Sequence, residues 1–303
     1  MSLAFARYVI GDAGNVDRLH MAVMAASMAP TDDPVQQREV FIEQFGKASG
    51  RGLRKRGLTK QRSAEPHLAF ARELRLLDKE EGWRITPLGN AFLVLWDRYP
   101  GEPPTFFLTG LLLKFDRSFL IPFLRARLGG ENDDAAAGKA WSELWRRFGD
   151  ALASVEPPLP AELAPRTRHH HAAARIRFLE SVEGLKLSPT QISRLAEAFA
   201  PYAYSPMPSD SYRLIAKAVT GKDPAPINPV QASAKIREVY DLLQPRHAYA
   251  SATAAFHTIN AVSLPVASLD LDVFNGALRS DNGFTLQSDF QPGELLYAVR
   301  SKT

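Results

Sequence analysis

The sequence predicts a mainly helical protein with small β-hairpins, and three observations predict it. Apolar residues recur three and four apart in successive segments. Clusters of proline, glycine and asparagine punctuate those segments. One short pattern also occurs twice. The first copy runs His67-Leu-Ala-Phe-Ala-Arg72 and closes on Gly82-Trp-Arg-Ile-Thr86-Pro87. The second runs His170-His-Ala-Ala-Ala-Arg175 and closes on Gly184-Leu-Lys-Leu-Ser188-Pro189. In both, His and Arg lie five apart, and nine or ten residues later a Gly opens an apolar–basic–apolar triplet followed by Thr/Ser-Pro. Each copy therefore reads as a helix that runs into a Gly-bounded turn and a short strand.

The elements follow in chain order. Residues 16–29 read as a helix that Pro30 terminates. Thr31-Asp-Asp33 before Pro34 is a helix start, with a cap residue and acids at the positive dipole end. A second helix then runs from Pro34 to Phe45. A Gly- and Arg-rich loop spans 46–62, and helix 65–78 carries Leu68, Ala71, Leu74 and Leu77 at spacings of three. Residues 83–86 form a strand, and Leu88 begins a further helix. The linker Tyr99-Pro-Gly-Glu-Pro-Pro104 precedes an apolar helical hairpin over 105–128 and a turn at 129–134. Helix 136–154 presents Trp141, Leu144, Trp145 and Phe148 on one face. After a proline-rich linker over 157–165 come helix 168–181, a short strand at 185–187, and helices near 189–200 and 209–219. Gln231 to Leu243 is helical, as is Leu271 to Arg279. Phe284–Ser288 and Leu295–Val299 form a hairpin across Gln291-Pro-Gly293. This gives four regions: 1–98 as the first unit with its basic loop, 99–156 as a helical linker region, 157–225 as the second unit, and 226–303 as a C-terminal α+β unit.

Composition narrows the function. The 303 residues are 45% hydrophobic and 23% charged, as in globular proteins. With no cysteine, disulfides, Cys-ligated zinc and thiol nucleophiles are excluded, and a reducing cytoplasm fits. The start of the chain lacks the features of a signal peptide. The most apolar window, Phe106–Leu124, is interrupted by Lys114, Asp116 and Arg117, so a buried hairpin rather than a membrane span is expected. Expected localisation is cytoplasmic, with no membrane partner.

The formal net charge is only +4, but its distribution is uneven. Seven basic residues and no acid lie between positions 47 and 62: Lys47, Arg51, Arg54, Lys55, Arg56, Lys60 and Arg62. Residues 270–294 carry five acids and one Arg. A positive field confined to the N-terminal third suits phosphate contacts. Arginine forks match phosphate oxygens, and the interspersed glycines let the backbone approach closely. Arg75 is the candidate for a guanine edge from helix 65–78, with Glu73 beside it as a repelling charge. Arg84, next to Trp83, adds a strand contact. In the second copy Arg166, Arg168 and Arg177 surround the helix and Lys186 lies on the strand; Arg168, Arg177 and Lys186 are its contact candidates. Arg72 and Arg175, which recur at one position of the pattern, are expected to hold each unit together.

Catalytic chemistry is not expected. There is no phosphate-binding Gly loop, no His-Glu-x-x-His and no Gly-x-Ser-x-Gly. In His169-His-His171, adjacent helical residues point about 100° apart, which does not suit a shared metal ion. His170 matches His67 in the repeat and opens a helix. Paired acids such as Glu80-Glu81 and Asp133-Asp134 lie at helix ends or turns, where acids cap. No catalytic residue, metal or cofactor is expected.

The stretch from Ala71 to Gly89, closing on Gly82-Trp-Arg-Ile-Thr-Pro-Leu-Gly89, resembles the helix-to-wing segment of winged-helix proteins, and Arg175 to Pro189 is similar to it. The resemblance covers about a third of the chain. It implies two to three winged-helix units linked by helical hairpins, with a helix in the major groove and a wing on the backbone. Tandem winged helices also resemble the recognition portion of type IIS restriction enzymes, whose nuclease signature is absent here, and accessory subunits of chromosome-structuring complexes. The expected function is non-catalytic binding of double-stranded DNA, as a regulator or as the recognition subunit of a larger bacterial system. The alternative is a protein-interaction scaffold, which the acidic C-terminal unit, exposed aromatics in 105–148 and the modest net charge favour.

Overall fold

A computed structural model describes residues 3–7, 15–28, 39–40, 43, 67–78, 84–99, 101–243, 248–288 and 294–300. The expected basic loop 46–62, Trp83 and most of helix 34–45 lie outside the described residues. Within them the protein is mainly helical with a few short strands. Its helices are α1 (Val16–Ser27), α2 (residues 67–73), α3 (Pro87–Arg98), α4 (Glu102–Leu128), α5 (Asp133–Ala153), α6 (Pro165–Glu180), α7 (Pro189–Phe199), α8 (Ser211–Thr220), α9 (Pro229–Leu243), α10 (Ala252–Ser263) and α11 (Leu271–Ser280). By packing, the chain divides into two units, each assembled from two separated stretches. One comprises Met1–Leu74 and Leu111–Met207, the other Arg75–Gly110 and Pro208–Thr303.

In the first unit, helix starts follow from side-chain caps. Asn15 accepts from the Arg18 amide at the head of α1, and Asn132 accepts from the Ala135 amide at the head of α5. Ser188 and Gln191 form a reciprocal capping box at α7, with Pro189 in its first turn. The Ser-Pro of the repeated pattern is thus a helix start. The core gathers Leu19, Phe70, Phe119, Phe123, Trp141, Leu144, Phe178 and Phe199, all buried. Phe70 meets Phe178 edge to face at 4.9 Å between ring centres.

Residues 105–128 do not form the expected hairpin; they belong to one helix of 27 residues. No turn-forming pair interrupts them, and the three charges that suggested a break do not force one. Asp116 and Arg117 are buried rather than solvated. A helix apolar on all sides is one that neighbours enclose. The aromatics of 105–148 follow suit: Phe106, Phe107, Phe119, Phe123 and Trp141 are buried and none in that span is exposed. The expected exposed aromatics are overturned.

Asp116, Arg117 and Ser118 organise this unit. The Arg175 guanidinium, from α6, faces the Asp116 carboxylate with two hydrogen bonds of 2.7 Å, and both side chains are wholly buried. Asp116 also accepts from the Ala6 amide at 3.0 Å, while Arg175 donates to the Ala6 carbonyl at 2.9 Å. Ser118 accepts from the Ala4 amide and donates to the Ala203 carbonyl. Arg117 donates to the Tyr202 and Ser205 carbonyls. The Phe119 ring lies 4.3 Å from the Arg175 guanidinium carbon. Burial pushes the Asp116 carboxyl upward, against the opposing pull of Arg175.

The second unit contains α3, residues 102–110 of α4, α8 to α11, and two small sheets. β1 (Ala225–Pro226) pairs in parallel with β3 (Ala267–Ser268). β2 (Ala250–Ser251), β5 (Leu295–Val299) and β4 (Phe284–Ser288) form an antiparallel sheet in that order. The expected C-terminal hairpin is present in register, with Leu286 opposite Tyr297. Helix α10 is absent from the sequence reading. It is a run of small, branched and polar residues buried on nearly every side, with no amphipathic stripe to mark it. Its Asn260 grips the Leu269 amide and carbonyl, and its His257 meets the Tyr212 hydroxyl at 2.6 Å.

Two expectations follow. Asp116→Asn leaves the Arg175 guanidinium buried without its counter-charge, so urea unfolding of the variant should show a loss of about 3–5 kcal/mol. A Cβ at Gly110 would fall 2.3 Å from the Tyr212 hydroxyl. Gly110→Ala should therefore lower the thermal midpoint, by an amount equivalent to about 1–3 kcal/mol of overpacking. An unshifted midpoint would show that the tyrosine can withdraw.

Candidate nucleic-acid interface

In the first copy of the pattern, helix 65–78 is shorter than expected: α2 ends at 73. Arg75 ends it, because its φ of 57° is a left-handed conformation that a helix cannot continue through. Its carbonyl accepts from the Thr86 hydroxyl at 2.5 Å. The chain then pairs with itself. Leu77 bridges Ile85 in antiparallel fashion, the Asp78 amide donates to the Arg84 carbonyl at 2.8 Å, and the Thr86 amide donates to the Leu76 carbonyl at 3.1 Å. Thr86 then caps α3 by accepting from the Gly89 amide, with Pro87 in the first turn. A Cβ at Gly89 would come 2.1 Å from the Leu76 carbonyl oxygen, so only glycine fits against that strand.

This places Arg75 and Arg84 on one short pairing, both exposed. Arg75 stands past the end of the helix that was expected to present it. In the antiparallel register Asp78 lies opposite Arg84. Glu73, expected to repel phosphate from the surface, is buried at 8% exposure. Lys47, Arg51, Arg54, Lys55, Arg56, Lys60 and Arg62 lie outside the described residues.

The second copy does not repeat this geometry. Residues 185–187 form no strand. Lys186 is left-handed, with φ 57°, which breaks an extended run. The Leu185 and Leu187 amides instead donate to the Phe178 and Leu179 carbonyls, satisfying the end of α6. Arg168 and Arg177 are nine residues apart on that helix, about half a turn out of phase, so they face opposite ways. Arg177 and Lys186 are exposed. Arg168 lies against α5: a Cβ at Gly138 would come 3.2 Å from its Nη1, and its Nε is buried without a hydrogen bond. These three cations do not form one surface.

The histidines also separate. His170 is exposed whereas its counterpart His67 is buried. His169 reaches Asp134 at 3.4 Å. The packed one is His171, which sits among Phe5, Phe119 and Trp141 with its Nδ1 3.1 Å from Arg175 Nη1. Among the described residues no three His, Cys, Asp or Glu side chains converge as metal ligands would. The Asp116–Arg175 pair and the Tyr212–His257 pair were not read from sequence as partners. Tyr212 and His257 are 1% and 5% exposed, so that hydroxyl and imidazole pack in the core of their unit. Their only signal in the sequence is a polar residue within an apolar run.

Burial, and then the Arg175 charge, push His171 down to about 3 from an ordinary 6.5. The unfolded chain therefore takes up a proton that the folded chain refuses as pH falls from 6.5 towards 3, and stability is lost across that window. At roughly 1.4 kcal/mol per pH unit, the wild type should lose roughly 2 kcal/mol more than His171→Asn between neutral pH and about pH 5. Urea titrations of both proteins at the two pH values test this; parallel losses would assign the slope to other groups.

No family model, curated protein or solved structure matches this chain.

Proposed function

We propose that the protein binds double-stranded DNA without catalysing a reaction, as a regulator or as the recognition subunit of a larger system. The observation that carries this reading is the cation-only stretch from Lys47 to Arg62 standing directly before the first copy of the pattern. Helix, antiparallel pairing and capped helix then follow in the order of a winged helix, and that segment is read here as one such unit. In support, Arg75 and Arg84 are exposed on the pairing, and Glu73 is withdrawn from the surface. Contacts of this kind neutralise phosphates and position the protein without reading base sequence.

The second copy is not included in the contact surface, because its cations diverge. The scaffold alternative loses one of its supports, the exposed aromatics. It keeps the acidic C-terminal unit, through which a protein partner would dock.

Fluorescence anisotropy with a labelled random duplex over a salt series tests the reading. If about five loop cations meet phosphates, affinity should fall with a log–log slope of about −4.5. The triple variant Arg54→Glu, Lys55→Glu, Arg56→Glu should lose affinity and keep its fold by circular dichroism. Equal binding by that variant would remove the loop from the interface. Absence of binding at low salt would overturn the DNA reading itself.

A further inference from the structure

Residues 3–7 belong to no helix or strand, and distant residues of α4 and α6 hold them. The Ala4 amide donates to the Ser118 hydroxyl at 3.0 Å, and the Ala4 carbonyl accepts from the Ser118 amide at 2.9 Å. The Ala6 amide donates to Asp116 Oδ1 at 3.0 Å, and its carbonyl accepts from Arg175 Nη2 at 2.9 Å. Between them the Phe5 ring meets Trp141 at 5.5 Å, Phe119 at 5.8 Å and His171 at 5.9 Å between ring centres. The segment is a strap laid over one arginine and one histidine.

That histidine has to be neutral while the strap is docked. His171 Nδ1 lies 3.1 Å from Arg175 Nη1. A guanidinium only donates, so Nδ1 accepts and the ring proton sits on Nε2. A proton taken up at Nδ1 would end that bond and set two cations against each other. The guanidinium they would disturb is the one that grips the Ala6 carbonyl.

The surroundings offer the imidazolium little relief. From α6 itself, Arg175 and His170 both disfavour its charge. α5 contributes the apolar face of Trp141, and α4 contributes Phe119. The Asp116 carboxylate of α4 is committed to Arg175 and to the Ala6 amide. On the strap, Arg7 donates to the Glu156 carbonyl. Burial among these rings, then the charges of Arg175 and His170, hold the docked imidazole down to about 3. Withdrawal of Phe5 opens one side of the ring to water, which moves it back towards its ordinary 6.5. The released state therefore binds a proton that the docked state refuses, and acid favours release below about pH 6.5.

We propose that residues 3–7 are an acid-released strap: uptake of a proton by His171 frees them from α4 and α6 while the rest of the unit stays folded. Release uncovers the Ser118 hydroxyl, the Asp116–Arg175 pair and the rings of Phe119 and Trp141. This device stands independently of DNA binding.

Hydrogen exchange of the full chain, read amide by amide at pH 7 and pH 5 and corrected for intrinsic rates, tests it. His171→Asn keeps an acceptor for Arg175 and cannot take up the proton. Protection of the Ala4 and Ala6 amides should fall about tenfold more in the wild type than in that variant, while the Trp141 and Phe178 amides keep theirs. An equal fall in both proteins, which protonation of Asp116 would produce, overturns the proposal. So does an equal fall at Trp141 and Phe178, since the whole unit would then be opening. Phe5→Ala checks the coupling from the other side. It should raise the midpoint of the His171 imidazole titration, followed by NMR, by about one pH unit or more. An unmoved midpoint would show that the strap does not govern His171 and would overturn the proposal as well.

Discussion

Three consecutive polar residues in the middle of an apolar helix hold the first unit together. Asp116, Arg117 and Ser118 together tie three segments to α4: Asp116 reaches the α6 helix and the N-terminal segment, Arg117 the Tyr202 and Ser205 carbonyls, and Ser118 both Ala4 and Ala203. An apolar helix can slide or rotate among apolar neighbours at little penalty, because dispersion contacts are not directional. Hydrogen bonds are directional, and a buried charge separated from its partner is strongly destabilising. The triplet therefore specifies register more than it adds net stability. Its removal would leave a core of similar apolarity with no single arrangement of the segments around α4.

The same triplet fastens residues 202–205 to α4. Residues 200–205 are half-buried for the most part, with Ala203 buried and the rings of Tyr202 and Tyr204 against Phe199 and Phe148. Arg117 adds direction to that packing by donating to the Tyr202 and Ser205 carbonyls. Burial lowers the pKa of that guanidinium, yet a group that titrates so high stays charged at any physiological pH. The anchoring bonds are consequently insensitive to pH. His171 lies one helical turn before Arg175, and burial together with that charge keeps it neutral in the folded protein down to about pH 3.

Much of the helical framework was legible because the relevant signals are local. The ends of α1, α7 and α11 are set by Asn15, Ser188 and Asp270, whose side chains accept from the first free amides, and such residues can be read directly. The hairpin of β4 and β5 was legible from its turn residues. What failed depended on tertiary context. Lys114, Asp116 and Arg117 suggested a break in α4 because charge usually marks exposure, whereas Asp116 finds its partner 59 residues away. α10 has no polar face to give it a period. Helix 65–78 was overextended because nothing in Leu74-Arg75-Leu76 announces a left-handed residue; asparagine or glycine would have done so. Of the candidate site, the basic loop was legible as composition only, and the burial of Glu73 and the packing of Arg168 against α5 were not legible, since both depend on what other segments lie against them.

The two copies of the repeated pattern show what such a motif encodes. Its invariant part is a helix stop followed by a helix start: Thr86-Pro87 and Ser188-Pro189 are cap and first turn in both. Between stop and start the copies place their left-handed residue differently. In the first it is Arg75, at the helix end, so the chain leaves in extended form and can pair with itself through Leu77 and Ile85. In the second it is Lys186, within the triplet, so the amides on either side turn back to the helix carbonyls and no strand forms. The buried arginine of the second copy then serves the interior of its unit. Shared residues in the pattern thus mark a helix stop and a helix start, while the two copies, with the left-handed residue at different places, differ in whether the chain between pairs with itself or turns back to the helix. In the second copy the buried Arg175, paired with Asp116, leaves that copy to hold its own unit together.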